Sequence, residues 1–500
     1  MLHPPDEQNR RLLENVHPPG WVNPEPKTRY HMVVIGAGTA GLVTAAAAAG
    51  LGARVALVER HLMGGDCLNV GCVPSKAIIR AARAWREARE AHQIFGAPPT
   101  GEHGDFGAVM ERMRRIRADL SPADSVHRFR ELGVDVFLGD GRFVAPAAVD
   151  IGGKRLEFRR AVIATGGRPD VPEIPGLATA GYLTNETIFS LTALPARLLV
   201  IGAGPVGCEL AQAFARFGSQ VTVIDRGEHA LPREDPDAAG VVERAMERDG
   251  VVFRCRASII RVERSGGERL VVLQGANGEE PVRGDEILVA AGRVPNVEGL
   301  DLEAAGIVYD RAGVQVNDRL RTSNRRVYAA GDICSRFHFT HAADALARIV
   351  VQNALFYGRA RASRLIIPWT TYTSPEVAHV GMYEKDARAV GLQLDTITIP
   401  MNQADRAVLD GETEGFLRVH LKKGTDRILG ATLVAEHAGE MISEISLAMT
   451  TGLGLGRIGA TIHPYPTQAE VFRKAADAWR RKKLTPMVKR ILQLFFRFFG

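Results

Sequence analysis

A glycine-rich pattern, Gly-x-Gly-x-x-Gly after an apolar strand, occurs twice in this 500-residue chain. In the first copy, the apolar strand HMVVIG runs into Gly36, Gly38 and Gly41, and the next strand, ARVALVE, ends at Glu59. In such a unit the glycines let the backbone approach a pyrophosphate at a helix N-terminus, and the carboxylate accepts ribose hydroxyls. The second copy has the same spacing and consists of Gly202, Gly204, Gly207 and Asp225. Two such units, each followed by an alanine-rich helix, predict an α/β fold that binds two dinucleotides.

The composition excludes several other classes of protein. The chain is 46% hydrophobic and 24% charged with a net charge of +6, which is ordinary for a soluble protein with several cores. Its arginines are dispersed, and no basic stripe with interleaved aromatic residues indicates nucleic-acid binding. Five cysteines are too few and odd in number for a secreted disulfide framework.

The first 29 residues lack a basic region followed by an apolar core, so they are not a signal peptide. Their prolines predict either an extended arm over the surface or a disordered leader. The AAAAAGLG run belongs to the helix after the first glycine loop and is too short to span a membrane. We therefore expect a cytoplasmic protein.

Two cysteines, Cys67 and Cys72, follow the first unit in the run GGDCLNVGCVPSK. At this place they could exchange electrons with a flavin or nicotinamide ring. In one regular helix, Cα atoms five residues apart lie about 8–9 Å from each other, whereas a disulfide needs roughly 4.4–6.8 Å. We therefore expect the chain to leave the helix between them, which Gly71 makes easier. The alternative is a pair of unreactive buried thiols; zinc would need more ligands than this sequence offers nearby.

Further segments extend the pattern. The runs RRAVIATGGRPDVP and EILVAAGRVPN are strands that end in small residues, and TSNRRVYAAGDIC runs a short buried strand into Asp332. Asp332 could bind a cofactor hydroxyl at the strand end or cap the helix that follows. After residue 366, TTYTSPEVAHVG, GFLRVHLK and ILGATLVAE predict strands, and AGEMISEISLAMTTG predicts a helix. This region predicts an α+β domain without a nucleotide fingerprint, suited to oligomerisation.

In this order, the motifs resemble the flavoprotein disulfide reductases, the class I pyridine nucleotide-disulfide oxidoreductase family, over about residues 30–480. The family includes glutathione, dihydrolipoamide and mercuric reductases. The resemblance implies a homodimer with two Rossmann-like dinucleotide-binding domains, one for FAD and one for NAD(P)H, plus a C-terminal α+β dimerisation domain. The implied boundaries are an N-terminal arm at 1–29, FAD-binding parts at 30–180 and 301–365, an NAD(P)-binding domain at 181–300, a dimerisation domain at 366–485 and an amphipathic tail at 486–500.

The resemblance also assigns roles to residues. It places Cys72 nearest the flavin, lets Cys67 attack the substrate and sets Lys76 beside the flavin ring, where its charge is stabilising; the alternative for Lys76 is a surface lysine. Asp332 would hold the ribityl chain. The remaining implied cofactor-binding residues are Gly36, Gly38, Gly41, Glu59, Gly65, Gly141, Thr165 and Gly166 for the first unit, and Gly202, Gly204, Gly207, Glu209, Asp225 and Gly292 for the second. Asp225 favours NAD, whereas the adjacent Arg226 could pair with the 2′-phosphate of NADP.

The chain departs from the family pattern at the exchange base. Disulfide-reducing members carry a His before the Pro-Thr, with a Glu five residues later; here those positions are Tyr465 and Glu470. Tyrosine has an ordinary pKa near 10 and is a poor acid–base. Mercuric reductases resemble this chain in having Tyr there, and Tyr182 matches a second tyrosine of theirs. The chain nevertheless lacks their C-terminal cysteine pair and N-terminal metal-binding domain. His463 could replace the missing base or be an ordinary loop histidine, and Tyr465 could instead only pack at the dimer interface.

The tail, LTPMVKRILQLFFRFFG, predicts an amphipathic helix with Lys489, Gln493 and Arg497 on its polar edge. It either packs on the protein or contacts a membrane surface, where a quinone-type acceptor becomes plausible. We expect a small-molecule or metal-ion electron acceptor, with no resident metal and no nucleic-acid partner. Three functions stay open: a mercuric reductase-like NAD(P)H oxidoreductase, a low-molecular-weight disulfide reductase that uses His463, and a flavin-bound interaction or membrane-associated protein whose thiols sense rather than turn over.

Overall fold

The computed structural model describes residues 2–97, 104–275 and 278–499. Met1 and Gly500, at the ends of the predicted arm and tail, lie outside this description. The chain forms two compact units: Met1–Arg226 with Gly250–Leu365, and Gly227–Asp249 with Ile366–Gly500.

The helices, in chain order, are α1 Glu7–Val16, α2 Thr39–Gly50, α3 Gly65–Asn69, α4 Cys72–Phe95, α5 Phe106–Leu120, α6 Val126–Glu131, α7 Leu177–Ala180, α8 Pro205–Phe217, α9 Pro236–Arg248, α10 Thr340–Leu355, α11 Glu384–Ala389, α12 Asp405–Asp410, α13 Ala438–Thr451, α14 Leu455–Ile458, α15 Glu470–Lys482 and α16 Pro486–Phe499. The strands are β1 Tyr30–Ile35, β2 Val55–Glu59, β3 Val134–Leu138, β4 Gly141–Ala145, β5 Ala148–Ile151, β6 Lys154–Ile163, β7 Gly167–Pro169, β8 Arg197–Ile201, β9 Gln220–Ile224, β10 Val251–Arg254, β11 Ile259–Ser265, β12 Glu268–Gly275, β13 Gly278–Gly284, β14 Glu286–Val289, β15 Arg293–Pro295, β16 Tyr309–Asp310, β17 Gly313–Val314, β18 Val327–Ala329, β19 Pro368–Thr371, β20 Glu376–Gly381, β21 Leu394–Pro400, β22 Phe416–Lys422 and β23 Ile428–Ala435.

The first unit is built on a sheet of order β3-β2-β1-β6-β5-β4, with β18 also paired to β6. Strands β1, β2, β3 and β18 and the end of β6 run parallel, whereas β4 and β5 pair antiparallel. The β1 sequence YHMVVI is almost wholly buried, as expected for a central parallel strand covered on both faces. The first six residues of the AAAAAGLG run form the end of α2, as predicted, and their small side chains allow close packing. The carboxyl ends of the parallel strands therefore meet the first glycine loop at one edge of the sheet.

The N-terminal segment is folded, so the expectation of an extended or disordered arm is wrong for residues 7–16. Asp6 caps α1, because its carboxylate accepts a hydrogen bond from the Asn9 amide at 2.9 Å. Leu12 and Val16 lie four residues apart on one helix face and are fully buried in the core of the first unit. The sequence contains both the apolar pair and the capping residue, but the prolines around them favoured an extended or disordered segment.

The second glycine loop belongs to a parallel sheet of order β10-β9-β8-β14. Helix α8 begins directly after Gly204 with Pro205 in its first turn, a favourable position for proline. Strands β11, β12 and β13 form a separate antiparallel sheet. The sequence repeat is thus a structural repeat of strand, glycine turn, helix and strand.

The second unit contains an antiparallel sheet of order β19-β20-β23-β22-β21. The predicted strands in TTYTSPEVAHVG, GFLRVHLK and ILGATLVAE and the predicted helix AGEMISEISLAMTTG are confirmed as β20, β22, β23 and α13. Apolar side chains of α13 and α15 pack into its core. This is the α+β region that the sequence predicted.

Helix α16 has no buried side chain. Among the described residues, no helix is both long enough and apolar enough to cross a bilayer.

Candidate active site

The two cysteines face each other across a break between helices. Cys67 lies in α3 and Cys72 is the first residue of α4, so the predicted departure from a single helix is confirmed between them. The break requires Gly71, because an added Cβ there would lie 2.8 Å from the Asp66 carbonyl oxygen. The two thiols are not joined in this structure, and Cys67 donates a hydrogen bond to Cys72.

The thiol pair is strongly asymmetric in acidity. The hydrogen bond from Cys67 lowers the pKa of Cys72 to about 6; burial opposes this, and Thr340 and the Lys76 charge assist it. The same hydrogen bond, together with burial, raises the pKa of Cys67. The Thr340 hydroxyl, at the first position of α10, lies 3.4 Å from the Cys72 sulfur. The reduced pair therefore holds one thiolate, on Cys72.

Lys76 is not a free surface lysine. Its ammonium group donates to the carboxylate of Glu209 at 2.7 Å, and the Glu209 side chain is only 7% exposed. This contact joins α4, which carries Cys72, to α8, which follows the second glycine loop. A cation fixed one helical turn from Cys72 stabilises the thiolate there.

The first glycine loop forms a cradle that only glycine permits. A Cβ at Gly41 would lie 1.8 Å from the Gly36 carbonyl oxygen, and one at Gly65 would lie 2.6 Å from the Gly38 Cα. The Glu59 carboxylate accepts hydrogen bonds from the Ala37 amide at 2.7 Å and the His61 amide at 2.8 Å. Burial raises the pKa of Glu59. This combination fits the pyrophosphate and ribose of a dinucleotide such as FAD.

Beside this cradle lies a cleft of about 470 Å³. Gly36, Glu59, Gly141 and Thr165 line it. Gly141 needs to lack a side chain, because a Cβ there would lie 2.8 Å from a Val58 methyl group. The cleft brings together residues from four motifs that are far apart in the sequence.

The ATGG turn is fixed by Asn296, which follows β15. Thr165 donates its hydroxyl to the Asn296 carbonyl at 2.9 Å, and the Asn296 side chain donates to the Thr165 carbonyl at 2.9 Å. The Asn296 amide also donates to Gly166, whose positive φ of 67° suits glycine. Strands β7 and β15 form an antiparallel pair, and beside this pair the Gly292 carbonyl oxygen accepts a hydrogen bond from the Asp170 amide at 2.9 Å.

Asp332 follows β18 but does not cap the next helix, because α10 begins at Thr340 with Phe339 as its N-cap residue. The capping alternative is therefore wrong. The Asp332 carboxylate lies 3.5 Å from the Arg293 guanidinium, which also donates hydrogen bonds to Asp66 and to the Gly167 carbonyl. Burial raises the pKa of Asp332, and Arg293 opposes that rise. Asp332 thus lies at the strand end, where the resemblance puts a cofactor hydroxyl.

The second glycine loop repeats the geometry of the first. The Asp225 carboxylate accepts from the Ala203 amide at 2.7 Å, matching the contact between Glu59 and Ala37. A Cβ at Gly207 would lie 2.0 Å from the Gly202 carbonyl oxygen, which repeats the close approach of the first loop. The residues therefore fit a second dinucleotide.

The exchange-base candidates all lie in the second unit. Tyr465 is 71% exposed, and its hydroxyl donates to Asp405 at 2.9 Å, which raises the pKa of the tyrosine. Glu470 is buried and bonds Arg473 at 2.6 Å. The structure does not bring Tyr465 and Glu470 into a hydrogen bond.

His463 is engaged through both ring nitrogens. Nε2 lies 3.0 Å from the Glu444 carboxylate and Nδ1 lies 3.1 Å from the Thr461 carbonyl oxygen. Its side chain is 6% exposed. Glu444, on α13, was not foreseen as a partner, because nothing in the sequence connects it to this loop.

Three further residues at the site were missed. Thr340 lies just before HAADALARIVV, and Arg293 and Asn296 lie inside the quoted run EILVAAGRVPN. These residues lie in or beside motifs that the sequence shows. The sequence alone does not indicate which of their side chains faces the thiols or the ATGG turn, because that depends on the tertiary fold. Within the described ranges, no cluster of three or more His, Cys, Asp or Glu side chains could hold a metal ion.

Two glycine turns and an asymmetric thiol pair in one unit are the features of an oxidoreductase that binds two dinucleotides and works through a dithiol. Residues 30–347 match the family model described as pyridine nucleotide-disulphide oxidoreductase, and residues 367–476 match its dimerisation domain. The chain belongs to this family, whose members use FAD and NAD(P)H.

The relatives of this chain include proteins named mercuric reductase and proteins named dihydrolipoyl dehydrogenase. A mercuric reductase from Streptomyces lividans is 35% identical, with 90% of this chain and 96% of that protein covered. A dihydrolipoyl dehydrogenase from Thermus scotoductus is 34% identical, with 91% and 98% covered. Among solved structures, the HOCl-induced flavoprotein disulfide reductase RclA from Escherichia coli superposes with a TM-score of 0.81 at 29% identity, covering 90% of this chain and 99% of RclA. RclA has also been solved as a Cu(II) complex.

Proposed function

We propose that this protein is an FAD-dependent NAD(P)H oxidoreductase that passes two electrons through Cys67 and Cys72 to a thiol-binding metal ion, as mercuric reductases do. The observation that carries the proposal is the pair of unjoined thiols on either side of the break between α3 and α4, where the pKa of Cys72 is lowered and that of Cys67 is raised. When bound, FAD would supply two-electron transfer from NAD(P)H, by which a Cys67–Cys72 disulfide would be reduced to this dithiol. A soft cation is then the natural acceptor, because two adjacent sulfurs bind it well.

The first glycine loop, Glu59 and Asp332 would hold FAD, and the second loop with Asp225 would hold the nicotinamide dinucleotide. Lys76 would lie beside the flavin, positioned by Glu209. The FAD-binding parts then correspond to 30–180 and 301–365, the NAD(P)-binding domain to 181–300 and the dimerisation domain to 366–485, in a homodimer. Asp225 favours NADH as the donor.

A disulfide substrate is the weaker alternative, because neither Tyr465 nor His463 is suited to act as the exchange base. The pKa of Tyr465 is raised, so its hydroxyl stays protonated near neutral pH and cannot accept a proton from a thiol. His463 is buried and uses both ring nitrogens on Glu444 and Thr461. Binding and reduction of a metal ion require thiolates and no exchange base. The placement of Tyr465 and His463 therefore does not count against a metal-ion acceptor.

The test is an anaerobic titration of the FAD-loaded protein with NADH and with NADPH. We expect a long-wavelength charge-transfer absorbance after two electrons in the wild type and in the control Cys255→Ser, and none in Cys72→Ser. Stopped-flow reoxidation with Hg(II), Cu(II), glutathione disulfide, lipoamide and a soluble quinone should then be fastest with a metal ion. Normal charge-transfer absorbance in Cys72→Ser would remove the pair from the electron path. Faster reoxidation by a disulfide would make the protein a disulfide reductase.

A second candidate function, electron transfer at a membrane surface to a quinone-type acceptor, is favoured by α16. On a helical wheel, Lys489, Arg490, Gln493 and Arg497 cover one arc of about 100°, and apolar residues cover the rest. No acidic residue occurs after Asp477. The apolar side chains are all at least 36% exposed: Met487, Val488, Ile491, Leu492, Leu494, Phe495, Phe496, Phe498 and Phe499. We propose that this face lies in the headgroup region of an anionic membrane.

Co-sedimentation with phosphatidylglycerol-containing and pure phosphatidylcholine vesicles tests this candidate. We expect the full chain to sediment with the anionic vesicles only, and deletion of 487–500 or Phe495→Ser/Phe498→Ser to abolish this. Leu409→Ser, an exposed apolar change elsewhere in the same unit, is the control and should behave as wild type. Sedimentation unchanged by the deletion, or absent from every vesicle, would contradict membrane contact. A change in oligomeric state on deletion would instead indicate that the face packs on a second copy.

A further inference from the structure

Six arginines line one cleft of the first unit, away from the thiol pair. The cleft has a volume of about 550 Å³, and Tyr328, Asn353, Tyr357 and Gly358 complete its lining. The arginines are Arg160, Arg319, Arg321, Arg325, Arg326 and Arg359. They come from β6, from two turns on either side of residue 322, and from the loop after α10. The Cys72 sulfur lies 3.4 Å from Thr340 at the start of α10, whereas the cleft lies at the end of that helix, about 24 Å away along its axis.

In the described part of the chain, ion pairs do not balance the charge of these arginines. Among the residues that the structure describes, none of the six guanidinium groups makes an ion pair with Asp or Glu. Arg160 bonds only carbonyl oxygens, of Ala354 at 3.3 Å and Arg159 at 3.2 Å. Like charges brought together in this way repel each other, and a bound anion removes that repulsion.

The backbone that carries the arginines is held in place by asparagine side chains. Asn317 accepts hydrogen bonds from the amides of Arg319 at 3.0 Å and Arg321 at 3.2 Å, which closes a tight turn. Asn324 does the same for Arg326 at 2.9 Å. The turns therefore present their arginines from a fixed backbone rather than from a loose loop.

Asn353, buried in α10, ties two of these segments together. Its side-chain amide donates to the carbonyls of Arg319 at 3.1 Å and Ala360 at 2.9 Å, and its oxygen accepts from the Ala360 amide at 3.1 Å. The Tyr328 hydroxyl donates to the Asn353 carbonyl at 3.4 Å. The site is thus preorganised before any ligand arrives.

An aromatic ring stands at the rim of the cleft. Tyr357 is 69% exposed and has a positive φ of 53°, which is uncommon for a bulky residue. Arg159 donates to its hydroxyl at 2.8 Å, and the Arg160 guanidinium lies 6.0 Å from its ring centre. A ring held in this way offers a face to a planar group of a ligand.

We propose that this cleft binds a small polyanion with two or more phosphoryl groups, such as a nucleoside polyphosphate or inorganic pyrophosphate. Guanidinium groups match phosphoryl oxygens with paired hydrogen bonds, and six of them exceed what one phosphate needs. The volume is that of a small-molecule pocket, and the arginines surround a concavity rather than forming the long stripe that a nucleic acid would need. This inference does not depend on the electron acceptor.

Isothermal titration calorimetry on the FAD-loaded full chain, with saturating NAD⁺ to fill the second dinucleotide site, tests the proposal. The probes are inorganic pyrophosphate, ATP and a single-stranded oligonucleotide at fixed ionic strength. We expect pyrophosphate and ATP to bind, and Arg319→Gln/Arg321→Gln to weaken both by about tenfold or more. Arg10→Gln/Arg311→Gln changes the net charge equally outside the cleft and should bind as wild type.

Far-UV circular dichroism and the FAD spectrum confirm that each variant is folded. Tighter binding of ATP than of pyrophosphate would indicate that the nucleoside contacts the Tyr357 ring, and this difference should disappear in Tyr357→Ala. Equal binding of the two would indicate that the cleft recognises only the phosphoryl groups. No measurable heat with either probe, equal weakening in both double variants, or tighter binding of the oligonucleotide than of pyrophosphate or ATP would overturn the proposal.

Discussion

The Cys72 sulfur owes its acidity to three neighbours of different kinds. Cys67 donates a hydrogen bond, the Thr340 hydroxyl lies at 3.4 Å, and Lys76 supplies a positive charge that Glu209 holds in position. Burial works in the opposite direction, so the thiolate exists only because the specific contacts outweigh desolvation. The Cys67 hydrogen bond is the largest of these influences, which makes the two sulfurs a single unit chemically.

This order of causes predicts how the thiolate responds to pH. Because the pKa of Cys72 is lowered to about 6, the reduced protein should hold a thiolate at neutral pH and lose it as the pH falls through about 6. Thiolate absorbance at 240 nm in the reduced protein measures the transition. Cys67→Ala should move the midpoint upward by about one pH unit or more, and Lys76→Met should move it upward by less.

Cys255→Ala is the control, since that thiol lies outside the pair and its loss should leave the midpoint in place. A midpoint near 6 that persists in Cys67→Ala would show that the hydrogen bond between the thiols is not its cause.

At the scale of helices and strands, the sequence predicted the parts that repeat a strong local pattern. Both glycine turns, the strands leading into them and the strands of the C-terminal sheet follow from apolar runs and glycine spacing. The break before Cys72 followed from the distance that a disulfide requires. In each case the residues of one short segment are sufficient to determine its local structure.

Elements that depend on distant partners could not be predicted in the same way. Helix α1 has only ten residues, and its stability comes from burying Leu12 and Val16 and from the ion pair between Asp6 and Arg114 at 2.5 Å. The sequence alone does not decide whether Asp332 caps a helix or binds a cofactor hydroxyl, because the answer depends on where α10 begins. The arginine cleft assembles from four segments, and dispersed arginines in the sequence gave no sign of it.

On the scale of the whole molecule, the groups assigned to electron transfer and those assigned to substrate exchange belong to different folding units. Both glycine turns, the thiol pair, Lys76 and Asp332 lie in the first unit. Tyr465, Glu470 and His463 lie in the second, which contains the region matching the family's dimerisation domain. This division predicts that the two halves of the catalytic cycle respond to different substitutions.

Tyr465→Phe and His463→Ala should therefore leave reduction by NAD(P)H unchanged, because neither side chain belongs to the unit that contains the dinucleotide turns. In a stopped-flow experiment, formation of the charge-transfer absorbance should keep its rate, within about twofold, in both variants. Under the proposed metal-ion function, reoxidation by Hg(II) should slow by about tenfold or more in Tyr465→Phe. It should not change in His463→Ala, whose imidazole is occupied by Glu444. Slower reduction in either variant would contradict the division, and loss of reoxidation only in His463→Ala would favour disulfide exchange through that histidine.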